Sequence, residues 1–110
     1  MKFKRQAKDR VGNLLEEGDI IQLHDSGDTI AIIHKIIRHG REKFPDLYIS
    51  KITTNWIGKV ENSREKTILY VDDYKRCRRL DPNTLRDDVP KYKTAKEVQL
   101  KILEYSESKA

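Results

Sequence analysis

Two adjacent carboxylates, Asp72 and Asp73, close an apolar run and are followed by Tyr74-Lys75-Arg76-Cys77-Arg78-Arg79. Three chemistries use such residues. Paired carboxylates hold divalent metal ions when a third ligand joins them, and two such ions clamp the attacking and leaving oxygens of a phosphoryl transfer. A thiol beside cations ionises early and attacks electrophiles. Four cations within five residues neutralise phosphates. The third reading asks least of the rest of the chain. Adjacent residues of an extended chain point to opposite faces, so only a turn brings both carboxylates to one ion. Val71 is therefore expected to end a buried strand, with Asp72 and Asp73 turning the chain. Cys77 is the sole cysteine. It has no histidine at a recognisable spacing, and it is expected to be dispensable for activity.

His24, His34 and His39 are the only histidines, and none stands with a cysteine at zinc-site spacing. Gly27 and Gly40 are isolated, so no glycine-rich phosphate loop exists. The residues thus nominate no catalytic group, no metal site and no cofactor.

Charge is more informative. The chain has 110 residues, a net charge of +5 and a pI near 9.3. Residues 1–10 carry five cations and one anion, residues 16–28 carry five anions and no cation, and from Asp81 onward six of each sign cancel. The net positive charge lies wholly before Asp81, and segregation of this kind is more informative than the total; the alternative is a basic face that serves solubility alone. Lys35, Arg38, Arg41 and Lys43 form one basic cluster, and Lys75, Arg76, Arg78 and Arg79 a second. With Tyr74 beside the second, these nine residues are the expected nucleic-acid contacts. In an extended chain Tyr74, Arg76 and Arg78 share a face. Tyr48 is a further candidate for stacking on bases. Trp56 is expected mainly in the core. An acidic protein surface is the alternative partner.

These residues must sit on a single small domain. Phe3, Ala7, Val11, Leu14 and Leu15 recur at spacings of three and four, which predicts a helix over 1–17 ended by Gly18. Ile20 to Leu23 and Thr29 to Ile37 predict a β-hairpin, the second run holding five isoleucines, around turn chemistry at Asp25-Ser26-Gly27-Asp28. Further strands are predicted over 47–52, 55–60 and 67–71, and a turn at Asp81-Pro82-Asn83-Thr84. Thr94 and Glu97 suggest a capping box opening a helix over 94–106, with Val98, Ile102 and Tyr105 on its buried face. The expected fold is α+β: a five-stranded antiparallel SH3-like barrel or curled sheet over 19–80, flanked by terminal helices. No secretory signal or membrane span is visible, so the cytoplasm is the expected compartment.

Several resemblances attach to these stretches. Tyr70-Val71-Asp72-Asp73 is similar to the tetrapeptide at the catalytic hairpin of reverse transcriptases. Their motif continues into an apolar strand, whereas this one continues into cations. The stretch "EGDIIQLHDSGDTIAIIHKI" resembles the KOW element of ribosomal and transcription proteins, which implies a small barrel. It is also similar to the first hairpin of MazF/PemK endoribonuclease toxins, which implies metal-independent RNA cleavage. That resemblance nominates Arg41 with Thr53 or Thr54 for the catalytic pair. This chain has Thr29-Ile30 where the toxins carry Arg-Pro. Short charged chains of this kind also resemble accessory proteins of bacterial viruses that bind and inhibit a host protein.

Overall fold

The computed structural model describes residues 5–23, 29–63 and 65–109, with side chains described as far as Tyr105. The predicted turn at 25–28, His24 and Phe3 lie outside the described residues.

β-Branched runs become strands where predicted. β1 (Ile20–Gln22) pairs antiparallel with β2 (Ile30–Ile37), and β2 with β3 (Asp46–Thr54). β3 is long enough to take two partners along its outer edge. Its first half pairs with β5 (Thr67–Leu69) and its second half with β4 (Val60–Asn62). β6 (Arg78–Leu80) adds to β1. The sheet runs β4-β3-β2-β1-β6, and among the described residues no pairing joins its two edges. It is a curled open sheet of six strands, the second of the two expected forms, and not a closed barrel.

Alternation sorts the strands onto two faces. Ile21, Leu23, Ala31, Ile33, Leu47 and Ile49 point to one, beneath Ala7, Leu15, Tyr74 and Cys77. Ile20, Ile30, Ile32 and Ile52 point to the other. That face lies under α2 (Pro90–Lys109), which contributes Ala95, with Tyr92, Val98 and Ile102 packed against it. Between Ile33 and Lys35 the register shifts, leaving His34 as the extra residue of a bulge opposite β3.

The predicted N-terminal helix is absent over residues 5–17. The Asp9 carboxylate captures the backbone N–H groups of Val11 (3.0 Å) and Asn13 (2.8 Å), which a helix would have used itself. Gly12 takes φ +88°, outside helical space. A tight loop results, closed by Lys8 bridged to Leu14 and by the Leu15 N–H donating to the Ala7 carbonyl at 2.8 Å. Ala7 and Leu15 are buried, whereas Val11 and Leu14 are exposed, so the helical stripe is not the buried set.

Three more corrections follow from local chemistry. Residues 55–58 form a turn rather than a strand, and Trp56 stands 96% exposed instead of in the core. Strand β5 ends at Leu69, and Val71–Tyr74 forms one helical turn, α1, that contains Asp72 and Asp73. α2 starts at Pro90 rather than 94, because proline suits a first turn where no N–H is needed. Thr94 is therefore inside the helix and caps nothing, and Tyr105 is 62% exposed. The predicted turn at 81–84 is a 3-10 turn over Pro82–Thr84, capped by Asp81 Oδ1 accepting from the Asn83 N–H.

Gly18 fastens α2 to the sheet. Its φ of +89° is the left-handed conformation expected of it, although no helix ends there. Its N–H donates to the Ile33 carbonyl and its carbonyl accepts from Gln99 Nε2 at 2.9 Å. A Cβ at this position would stand 2.9 Å from Leu103 Cδ2.

Candidate nucleic-acid interface

The two basic clusters are more than thirty residues apart in sequence, and the chain brings them together at Phe44. α1 sets the geometry. Tyr70 lies before its first turn and its carbonyl accepts from the Asp73 and Tyr74 N–H groups. That turn buries Tyr74 completely and swings Lys75 outward. The Tyr74 hydroxyl donates to the Pro45 carbonyl at 2.9 Å, pinning α1 to the β2–β3 loop. Burial pushes the Tyr74 phenol up to about 12, the Asp46 carboxylate adds to the rise, and the Arg38 guanidinium opposes it. Tyr74 is thus an anchor, and its expected role as an exposed stacking residue is corrected.

Phe44 neighbours that anchor. The Lys75 ammonium lies 4.7 Å from the ring centroid and the Arg5 guanidinium 5.2 Å from it. Each is a cation–π contact, worth roughly 0.5–1 kcal/mol at an exposed site. Lys8, Arg10 and Lys75 line the shallow cleft of about 410 Å³ beside the ring. Arg41 and Lys43 are exposed in the same loop. Arg5 and Lys75, the two cations on the ring, are both exposed residues.

The other expected contacts divide. Lys35 is exposed on β2, directly opposite Tyr48 on β3, and Tyr48 in turn lies opposite Ile68 on β5. Tyr48 therefore presents a partly exposed ring on the sheet face beside an ammonium. Arg78 is exposed on the edge strand β6, opposite Gln22. Arg76 lines a separate cleft of about 200 Å³ with Lys51 and Asp73. Because α1 is helical, Tyr74, Arg76 and Arg78 do not share the extended face expected of them. Arg79 is engaged structurally: its N–H donates to Asp9 Oδ2 at 2.8 Å and its Nη1 to the Leu14 carbonyl at 3.2 Å. Sequence reasoning missed Arg5 and Phe44. An aromatic directly after the cations of 38–43 was the available signal.

Two arrangements look catalytic and are better explained by packing. His34 Nε2 lies 2.8 Å from Ser50 Oγ, as a base lies beside a nucleophile. Ser50 is wholly buried mid-strand, so no substrate carbonyl reaches its oxygen. Burial, with the Lys66 charge adding to it, pushes the His34 imidazole below its ordinary value and favours the neutral ring. Arg41, nominated by the toxin resemblance with Thr53 or Thr54, lies in the loop before β3, and both threonines lie at the far end of that strand. Its nine residues span about 26 Å at 3.3 Å per step, so the pair does not converge. Among the described residues no group of three His, Cys, Asp or Glu gathers as a metal site would require.

Cys77 lies on the covered side of its segment. It is 2% exposed, and its thiol donates to the Asp73 carbonyl at 3.4 Å. A disulfide reagent such as DTNB is expected to leave it unmodified in the native protein and to label it once urea unfolds the chain. Stoichiometric labelling under native conditions would show that the thiol is open to solvent.

Comparison with protein-family models, curated proteins and solved structures returns no match. The site must therefore be read from its own chemistry. Among the described residues no helix is long and apolar enough to cross a membrane.

Proposed function

We propose that this chain is a nucleic-acid-binding module whose phosphate-contacting surface wraps the end of the sheet at the β2–β3 loop. One observation carries the reading: Lys75 from the second basic cluster sits on Phe44 in the loop of the first, with Arg5 on the same ring. The Tyr74 to Pro45 hydrogen bond fixes the turn that carries Lys75 to this loop. Lys43, Lys75 and Arg5 contact phosphates, with Lys35 and Arg38 extending the strip. Tyr48, opposite Lys35, supplies a ring on which a base of a single strand stacks. Function is binding, not bond breaking, and no cofactor is required.

Salt dependence tests this directly. Each phosphate contact contributes about −0.7 to the slope of log affinity against log salt on single strands. Lys43→Ala with Lys75→Ala is expected to weaken binding to a labelled oligonucleotide and to flatten that slope by roughly one to two units. Fluorescence anisotropy over a salt series reads both quantities. Wild-type protein that binds neither DNA nor RNA in a salt-dependent way would falsify the reading. An acidic protein would then be the better partner for the same cations.

A further inference from the structure

One hairpin of this molecule carries an apolar knob and borders an apolar groove. The knob is the β3–β4 tip, where Trp56 is 96% and Ile57 63% exposed. The tip is held rigidly. Asn55 Oδ1 accepts from the Ile57 and Lys59 N–H groups at 3.1 and 2.9 Å, and Asn55 Nδ2 donates to Glu61 Oε1 at 3.0 Å. Gly58 supplies the φ of +83° that the turn needs. A large apolar ring presented on a rigid turn has already lost the freedom that binding would cost it.

The groove, of about 590 Å³, runs between the C-terminal half of α2 and the sheet. Val98, Ile102 and Tyr105 give it apolar walls, and Glu17, His34, Lys35, Asn62 and Lys101 its polar rim. This chemistry suits an indole. The aliphatic side chains take the ring, the Lys101 ammonium can lie on its face, and Glu17 or Asn62 can accept from its N–H. Asn62 lies six residues beyond Trp56 in the same hairpin, so knob and groove adjoin. Trp56 lies in the turn beyond the last strand pair, Thr54 with Val60, and is not among the residues lining its own groove.

We infer that two copies of the chain associate about a two-fold axis, each seating Trp56 in the groove of the other. Knob and groove adjoin at Asn62, so one patch carries both, and a two-fold axis makes each contact twice. The area suffices. A tryptophan buries about 150–250 Å². Two tryptophans, two isoleucines and the matching groove walls come to about 1,200 Å², the lower end of specific interfaces. The tip carries one cation and one anion, Lys59 and Glu61, and the carboxylate is already held by Asn55. That near-neutral tip fits an apolar socket better than a phosphate chain. The tip lies at the opposite end of β3 from the Phe44 surface, whereas the groove shares Lys35 with the phosphate strip, so the dimer covers Lys35 and leaves Arg5, Lys43 and Lys75 outside the contact.

Trp56 is the only tryptophan, so its emission reports on this contact alone. Sedimentation of the full chain over a concentration series should show a mass rising from monomer to dimer. Tryptophan emission should shift to the blue with the same midpoint. Trp56→Ala is expected to raise the dimer dissociation constant at least about 30-fold, as loss of a central aromatic anchor does. Lys101→Glu, on the exposed rim, should raise it too. Neither substitution should change the melting curve of the dilute monomer. A monomer at every concentration overturns the inference. So does a dimer whose indole stays solvent-exposed, and so does a monomer in which an oligonucleotide shifts the Trp56 emission.

Discussion

Truncation after Lys93 is expected to abolish the cooperative thermal transition. α2 covers one whole face of the sheet, and the truncation removes Ala95, Val98 and Ile102 from that cover. Ile20, Ile30, Ile32 and Ile52, each at most 2% exposed, would then face water. Fully burying such a side chain is worth about 1.5–3 kcal/mol. Partial exposure of all four, with the lost helix contacts, comes to at least about 5 kcal/mol. A domain of this size has only about 5–15 kcal/mol to lose. The Gln99 bond to the Gly18 carbonyl and the Leu103 contact over Gly18 go as well. Near-ultraviolet circular dichroism should lose its signal, and the melt should become broad or give way to aggregation. A sharp transition within a few degrees of wild type would show that the sheet is self-sufficient.

How much of this was legible in the sequence differs by element. The isoleucine runs of β1 and β2 announce strands because β-branching and a hairpin turn agree there. Val98 and Ile102 announce the covered face of α2. The segment before Gly18 misleads, because Ala7, Val11, Leu14 and Leu15 fit a helical stripe. Periodicity does not register that the Asp9 side chain takes the N–H groups a helix would need, and a single Gly12 does not by itself reverse the reading. The 70–76 stretch misleads similarly, since a helical turn after β5 replaces the extended chain on which the Arg76 and Arg78 pairing rested. For the site, both basic clusters were visible, but their meeting was not. It depends on a hydrogen bond between Tyr74 and Pro45, 29 residues apart, that only the fold creates. Trp56 misled because 55–60 read as a strand, where a tryptophan is ordinarily a core residue, whereas Asn55 accepts from the Ile57 and Lys59 N–H groups and makes the segment a turn.

The same Asp9 that prevents a helix should be the most sensitive polar residue of the fold. It is 5% exposed and serves four donors. Oδ1 accepts from the Val11 and Asn13 N–H groups, and Oδ2 from Asn13 Nδ2 at 3.1 Å and the Arg79 N–H at 2.8 Å. The last of these ties residues 5–17 to β6, which places Ala7 and Leu15 over the sheet. Asp9→Asn keeps the size but puts an NH₂ where an oxygen faced two donors. At about 1.5–3 kcal/mol for each hydrogen bond to a charged group, losing two should cost roughly 3–6 kcal/mol. Urea unfolding should report this as a lower midpoint with an unchanged slope. The pH dependence gives a second readout. Burial alone would raise the Asp9 carboxyl, but the backbone donors of Arg79, Asn13 and Val11, with the Asn13 side chain, outweigh it and hold it below its ordinary 3.8. A carboxyl depressed in the folded state stabilises fully above 3.8, and that contribution is lost as pH falls through the lower folded value. Asp19 has the opposite sign. Burial raises its carboxyl above 3.8, so the folded state takes up that proton first and gains stability as pH falls toward 3.8. The two groups therefore act in adjoining windows. Wild type should lose stability below 3.8 through Asp9, and Asp9→Asn should lack that part of the slope while keeping the Asp19 gain above it. An asparagine variant with wild-type urea midpoint and an unaltered acid limb would mean that the four hydrogen bonds contribute nothing net to folding.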